Sequence, residues 1–154
     1  MKKVTLIRHG QSKFNAGQYK NDSELRDCAL TNLGMEQAKG LNYKFDTVVI
    51  STLRRARQTY DNSNIKSNNV LYSNLVREQY ESSELNYLVG EEIKPETPDQ
   101  MRQRVREAIK FIKSLPGEHI GIVTHAHFIW YFLEQVGQQP QIVQNTQSIS
   151  IFLK

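Results

Sequence analysis

The chain has 154 residues, of which 38% are hydrophobic and 23% charged, and its net charge is +4. This length fits one domain, which we place at residues 1–154, and a chain of this size buries about 70% of its unfolded surface. Apolar residues are spread throughout, which argues against disorder. Lysine and arginine are interspersed with acidic residues and form no long basic tract, so we expect no nucleic-acid partner.

Short apolar runs alternate with helical patterns along the chain. The predicted strands are residues 4–7, 47–50, 70–72, 120–123 and 147–153. The predicted helices are residues 31–41, 51–60, 97–114 and 127–136, and residues 61–69, rich in Asn and Ser, are predicted as a loop. This alternation predicts an α/β single domain, a three-layer sandwich with a mostly parallel central sheet flanked by helices.

The longest predicted helix has the clearest boundaries. Thr97 and Gln100 form a capping box with Pro98 in the first turn. Apolar residues recur at helical spacing on one face, and the basic face opposite is interpreted as solvated surface. Pro116 and Gly117 end the helix.

Cysteine content and apolar run lengths bear on the compartment. The single cysteine, Cys28, excludes an internal disulfide framework and fits a reducing environment. Only residues 4–7 separate the basic start from Arg8, which is too short for the apolar part of a signal peptide. The longest apolar run, residues 128–133, is too short to cross a bilayer. We therefore expect a cytoplasmic protein with no membrane partner, and the oligomeric state stays unknown.

Residues suited to binding a phosphoryl group follow three of the predicted strands. Arg8 and His9 follow the first strand, Arg55 lies in the helix after the second, and His125 follows the fourth. Guanidinium groups match the oxygens of a dianionic phosphomonoester, and a neutral imidazole can attack phosphorus. Taken alone, either histidine could be an ordinary hydrogen-bonded core residue. Because ligands bind beyond the carboxyl ends of parallel strands, we expect the four residues to converge.

The leaving oxygen of such a reaction needs a proton donor. Glu78 is the candidate, and it would have to hold a proton at neutral pH. The alternative is a surface ion pair with a neighbouring arginine. An imidazole leaves more easily than an alkoxide, so a proton donor at this position favours phosphate esters over phosphohistidine.

Six segments resemble those of a known family and occur in its order. They are LIRHGQSKFN from Leu6, DCALTNLGMEQAKGL from Asp27, ISTLRRARQT from Ile50, LVREQY from Leu75, IVTHAHFI from Ile122 and NTQSISIFL from Asn145. Together they resemble the histidine phosphatase superfamily, the phosphoglycerate mutase-like proteins, and in particular its small phosphatase-type members. The resemblance is spread over nearly all of the chain.

The resemblance implies a role for each matching catalytic position. His9 would be the nucleophile that becomes phosphohistidine, and Glu78 would be the proton donor. Arg8, Arg55 and His125 would complete the pocket that holds the phosphoryl oxygens. The choice of Arg55 among three nearby arginines follows from its place just before an alanine in the matching segment.

Further positions are implied to bind the phosphate. Ser12 and Asn15 match residues that line the pocket, and Ala126 would offer its backbone N–H. The chain departs from the family pattern at Ala29, which replaces a proline, at Ala126, which replaces a glycine, and in residues 79–84.

These observations predict a phosphomonoester hydrolase that acts on a phosphorylated small molecule or a phosphoprotein. Only 18 residues separate Glu78 from Thr97, which leaves little chain to cover the site, and we therefore expect hydrolysis and no mutase activity. One alternative is a protein phosphohistidine or phosphoprotein phosphatase. Another is a catalytically silent protein that binds phosphorylated ligands.

A metal-dependent hydrolase is the remaining alternative. His125 and His127 have a spacing seen in metal sites, but only His119 is left as a further histidine ligand. A metal site of that kind needs additional His and Asp ligands. We therefore predict a metal-independent enzyme that needs no cofactor.

Overall fold

The computed structural model describes residues 1–18, 27–79, 84–86, 91–93 and 95–154. Its strands are β1 (Lys2–Arg8), β2 (Lys44–Ser51), β3 (Lys66–Ser73), β4 (Glu84–Asn86), β5 (Glu91–Ile93), β6 (His119–Thr124) and β7 (Ser148–Leu153). Its α-helices are α1 (Asn32–Lys39), α2 (Arg54–Asn62), α3 (Pro98–Ser114) and α4 (Ala126–Gln135), and a short 3-10 helix covers Asn74–Val76.

The central sheet has five strands in the order β3-β2-β6-β1-β7. The first four run parallel to one another, and β7 pairs antiparallel with β1. The strands β4 and β5 form a separate antiparallel pair. The carboxyl ends of β1, β2 and β6 therefore lie at the same edge of the sheet.

Helices cover both faces of this sheet. On one face, Val4 and Leu6 of β1 pack with apolar residues of α3 and α4. On the other face, Ile7 packs with residues of β2 and with Ala56 of α2. Burial on both faces explains why the parallel strands are short continuous apolar runs. The predicted three-layer α/β fold with a mostly parallel sheet is confirmed.

The predicted capping box of the longest helix is present. The Thr97 side chain accepts from the backbone N–H of Gln100, and the Gln100 side chain accepts from the backbone N–H of Thr97. No helix in the described ranges has the length and apolar character needed to cross a membrane.

The loop predicted at residues 61–69 is wrong at both ends. The helix α2 continues to Asn62, and β3 begins at Lys66. Because β3 lies at the edge of the sheet and much of it is exposed, it accommodates polar residues that a central strand would not. The helix α2 begins at Arg54, three residues later than predicted. The short strands β4 and β5 were not predicted.

Candidate active site

The two candidate histidines meet at the carboxyl edge of the sheet. His9 follows β1, and its backbone N–H donates to the carbonyl of Thr124 at the end of β6. His125 follows Thr124 directly and precedes α4. The centroids of the two imidazole rings are 5.1 Å apart, with an angle of 61° between the rings. The predicted convergence of His9 and His125 is therefore present in the structure.

Hydrogen bonding determines which nitrogen of His9 is available for chemistry. Its Nδ1 lies 2.6 Å from the carbonyl oxygen of Gly10. A carbonyl only accepts, so Nδ1 carries the proton and Nε2 of the neutral ring keeps its lone pair. Burial, followed by the charges of Arg55 and Arg8, holds the pKa of His9 well below its ordinary value. His9 is therefore a neutral imidazole with a nucleophilic Nε2.

The turn after His9 packs tightly against two helices. The backbone N–H of Gly10 donates to Thr59 Oγ1 of α2 at 2.9 Å. A Cβ at Gly10 would lie 2.5 Å from the carbonyl oxygen of Gly34 in α1, closer than side-chain atoms approach. Glycine is therefore required here so that the turn and α1 can approach each other.

A second loop holds the His9 turn from the other side. Asn145 Nδ2 donates to the carbonyl of His9 at 3.1 Å, and the N–H of Thr146 donates to the carbonyl of Arg8 at 2.9 Å. Thr146 has a φ of 59°, in the left-handed region that side chains other than glycine rarely adopt. A strained residue bound to the backbone beside His9 is consistent with a functional loop.

Arg8 and Arg55 supply positive charge to the same place. Nη1 of Arg8 donates to the carbonyl of Val143 at 2.9 Å, and burial lowers the Arg8 pKa. Burial is the main cause that lowers the pKa of His9 and of His125, and the charge of Arg55 lowers both further. Arg8 directly precedes His9 in the chain, and the charges of both arginines act on the His9 ring.

The helix that carries Arg55 is anchored by Asp27. Its Oδ1 accepts from the backbone N–H of Arg54 at 2.7 Å, at the start of α2. Asp27 is buried, and burial raises the pKa of its carboxyl group. The Asp27 contact fixes the first turn of α2 against the segment that precedes α1.

His125 is fully buried and has different partners. Its Nε2 lies 2.7 Å from Ser51 Oγ, at the end of β2, and its Nδ1 has no hydrogen-bond partner among the described residues. Burial, followed by the charges of Arg55 and His9, holds the pKa of His125 well below its ordinary value. An anion entering the site would meet a neutral imidazole at this position.

Glu78 reaches the same edge from the segment after β3. Its carboxylate accepts from the backbone N–H groups of His127, at 3.3 Å, and Phe128, at 3.2 Å, in the first turn of α4. Burial lowers the pKa of Arg8, and the negative charge of Glu78 opposes this shift. The neighbouring Arg77 is fully buried, so the alternative of a surface ion pair between them is wrong.

The remaining predicted residues line the same edge. Asn15 Oδ1 accepts from the backbone N–H of Ser12 at 3.1 Å and from the Ser12 hydroxyl at 3.0 Å. Asn145 Nδ2 also lies 3.4 Å from Asn15 Oδ1. Ala126 is the first residue of α4, where a backbone N–H has no partner within the helix. Of the atypical segment 79–84, residues 80–83 lie outside the described residues.

Sequence reasoning did not select Ser51, Thr59, Asn145 or Arg104 as parts of the site. Ser51 and Thr59 lie within the segment ISTLRRARQT, and Asn145 begins NTQSISIFL, so their positions in family-like segments were a usable signal. Arg104 belongs to the site because its guanidinium donates to the backbone carbonyl of Glu78. No feature of the sequence pointed to it, since this contact depends on how α3 packs.

The protein has an α/β fold with a buried pair of histidines and neighbouring arginines. This combination is typical of a site that binds a phosphoryl group. The chain belongs to the histidine phosphatase superfamily (branch 1), whose family model matches residues 4–71 and 72–150. Membership supports phosphoryl transfer of the phosphatase or mutase type.

Solved structures with the same fold include proteins of both types. A putative alpha-ribazole-5'-P phosphatase from Escherichia coli is 18% identical with a TM-score of 0.71, over 100% of this chain and 92% of that chain. A phosphoglycerate mutase from Thermus thermophilus is 18% identical with a TM-score of 0.70, over 97% and 92%. The Rv3214 protein from Mycobacterium tuberculosis is 17% identical with a TM-score of 0.72, over 99% and 92%. A comparison with curated proteins finds no match.

Proposed function

We propose that the chain is a metal-independent phosphomonoester hydrolase that acts through a phosphohistidine intermediate on His9. In the first step, Nε2 of His9 attacks phosphorus, an N–P bond forms and the P–O bond to the leaving group breaks. Glu78 gives its proton to the leaving oxygen. In the second step, water attacks phosphorus, the N–P bond breaks, and the carboxylate of Glu78 takes the proton from that water.

The observation that carries this proposal is the state of His9. Its Nδ1 is bonded to Gly10, its ring is neutral, and its Nε2 is left as the nucleophilic atom. Arg8 and Arg55 beside it match the charge that a phosphoryl group carries in the ground state and in the transition state. Ser12, Asn15 and the N–H of Ala126 would contribute neutral contacts to the phosphoryl oxygens.

The position of Glu78 supports its role as proton donor. Its carboxylate lies at the first turn of α4, directly after His125. In the proposed first step Glu78 is protonated and gives this proton to the leaving oxygen. The proton would then be available on the leaving-group side of the site.

The short segment between Glu78 and Thr97 favours hydrolysis over mutase activity. A mutase has to retain a second phosphate and exclude water while the phosphoryl group is returned. The 18 residues between Glu78 and Thr97 leave little chain to build such a cover. The substrate would be a phosphorylated small molecule or a phosphoprotein, and the single buried cysteine, Cys28, fits action in the cytoplasm.

Para-nitrophenyl phosphate tests the proposal, with wild type and His9→Ala assayed in the presence of a chelator. We expect turnover by wild type, none by the variant, and acid-labile, alkali-stable phosphate trapped on His9 after a rapid quench in alkaline denaturant. Turnover that disappears with chelator would favour the metal-dependent alternative. Bound phosphate without turnover in wild type would favour the silent binding protein.

A substrate panel separates the two phosphatase alternatives. Alkyl phosphates, a phosphoserine peptide and a phosphohistidine peptide would be compared at equal concentration. Because Glu78 assists an alkoxide leaving group, we expect the esters to be hydrolysed with a kcat/KM at least as high as that of the phosphohistidine peptide. Turnover of the phosphohistidine peptide alone would establish the other function.

A further inference from the structure

Ser51 and His125 form a buried, hydrogen-bonded pair at the carboxyl edge of the sheet. Ser51 follows Ile50, which is paired with Val123 in the β2–β6 ladder, so the register places Ser51 beside the end of β6. His125 comes two residues after Val123. The distance of 2.7 Å between Ser51 Oγ and His125 Nε2 is therefore a consequence of the parallel pairing.

Both side chains are fully buried, so every polar atom in the pair has to be accounted for. Ser51 Oγ accepts from the backbone N–H of Leu53 at 3.3 Å and has one proton to donate. Nδ1 of His125 has no hydrogen-bond partner in the part of the chain that the structure describes. The neutral ring has one N–H and one lone pair, and the two tautomers place them differently.

Suppose that Nε2 carried the proton. It would donate to Ser51 Oγ, the Ser51 hydroxyl proton would then lack an acceptor, and the lone pair on Nδ1 would lack a donor. Two buried polar groups would be unsatisfied, at a cost of about 1–3 kcal/mol each. The lone pair on Nδ1 would also repel the oxygens of a bound phosphoryl group.

If Nδ1 carries the proton instead, the Ser51 hydroxyl donates to Nε2 and both of those atoms are satisfied. One group is then left without a partner, the Nδ1–H of His125. A buried N–H donor on the ring next to His9 is complementary to an anionic oxygen. The free protein thus holds one unsatisfied donor that a phosphoryl group would satisfy.

We propose that Ser51 is a positioning residue that holds His125 in the Nδ1–H tautomer, so that Nδ1–H donates to a phosphoryl oxygen. This inference rests on the proposed function for its ligand. It also makes the two histidines complementary: both carry the proton on Nδ1, but His9 uses its free Nε2 as nucleophile and His125 uses its Nδ1–H as donor.

The first test reads the tautomer directly. Long-range proton–nitrogen NMR spectra of protein with ¹⁵N-labelled histidine distinguish protonated from unprotonated ring nitrogens, and His125→Asn assigns the signals. In wild type we expect a protonated Nδ1 and an unprotonated Nε2 for His125. A protonated Nε2 on His125 in wild type would overturn the proposal.

The second test uses Ser51→Ala, Ser51→Thr and inorganic phosphate as the probe. Ser51→Ala removes the donor to Nε2, so we expect the Nε2–H tautomer of His125 to appear and the phosphate affinity to fall about tenfold or more. Ser51→Thr keeps the hydroxyl and should retain the wild-type tautomer of His125 and the wild-type phosphate affinity. Ser67→Ala, on the exposed edge strand β3, is the matched control and should change neither.

The outcomes separate this inference from the proposed function. An unchanged His125 tautomer in Ser51→Ala would refute the role of Ser51 even if the enzyme hydrolyses phosphate esters. The expected tautomer and phosphate binding without any turnover would support the role of Ser51 and refute hydrolysis. Should Ser51→Ala fail to fold, the wild-type spectrum and the Ser51→Thr variant still decide the question.

Discussion

The guanidinium of Arg104 donates a hydrogen bond to the backbone carbonyl of Glu78, with 3.1 Å between Nη2 and the oxygen. Its Nη1 also contacts three carbonyls in residues 74–77, at distances of 2.9–3.2 Å. Nε and Nη2 bind the carboxylate of Glu96, each at 2.9 Å, and both side chains are nearly buried. One side chain of α3 thus fixes the whole segment that carries the candidate proton donor.

Replacing Arg104 by lysine should misplace Glu78 without removing charge. Lysine cannot reproduce the fork that holds Glu96 and the carbonyls together. We expect kcat for phenyl phosphate to fall about tenfold, because geometry limits proton donation, and kcat for para-nitrophenyl phosphate to change little. Arg106→Lys, whose exposed side chain donates to the side chains of Gln103 and Gln135, is the control. An equal loss on both substrates would indicate a merely structural role.

Glu78→Gln should lower kcat in a way that depends on the leaving group, as Arg104→Lys does, but the difference between the two substrates should be larger. Loss of a general acid costs about a hundredfold or more when the leaving oxygen needs a proton. We expect a loss of this size in kcat for phenyl phosphate and a much smaller one for para-nitrophenyl phosphate. Glu36→Gln, which removes an exposed carboxylate on α1, should leave both rates unchanged. Equal rates for Glu78→Gln and wild type on phenyl phosphate would exclude Glu78 as the donor.

Stability should depend on pH through the two buried histidines. Burial holds the pKa of His9 and of His125 well below the unfolded value. The unfolded chain therefore binds more protons, and the free energy of unfolding falls as the pH drops below about 6.5. The stabilisation is complete above that pH and is lost towards the folded-state pKa values.

Urea denaturation between pH 7 and pH 5 measures this dependence. Each histidine can change the unfolding equilibrium constant by up to about tenfold per pH unit. We expect a His9→Asn, His125→Asn double variant to have a flatter profile. Burial raises the pKa of Asp27, so its contribution to the free energy of unfolding has the opposite pH dependence to that of the histidines. Because Asp27 is present in both proteins, the difference between their profiles reports the histidines. Parallel profiles for wild type and the double variant would contradict the prediction.

Gly34→Ala should destabilise the protein and disturb the His9 turn. A Cβ at Gly34 would lie 2.1 Å from the carbonyl oxygen of Gln11, so the turn would have to move away from α1. We expect a loss of about 2 kcal/mol in the free energy of unfolding, with reduced phosphatase activity. Gly40→Ala, where a Cβ would meet only one atom at 3.4 Å, should stay within about 0.5 kcal/mol. Similar stability for the two variants would show that the close approach is not needed.

The sequence allowed the fold class to be predicted, because buried parallel strands are short apolar runs and α3 carries its own capping box. It did not allow β3 to be predicted in full, since an exposed edge strand tolerates the Asn and Ser residues that otherwise indicate loops. Residues 84–86 and 91–93 were also missed, because three-residue strands leave too short a pattern to be recognised.

By itself, the sequence determined which chemical groups are present and that they follow strand ends: Arg8 and His9, Arg55, and His125. Only the tertiary structure decided which atom of each group is free to react. The partner of His9 is a backbone carbonyl, a group present at every position, and the partner of His125 is one hydroxyl among many in the chain. The partner Ser51 is 74 residues from His125 and meets it only because β2 and β6 pair in one particular register.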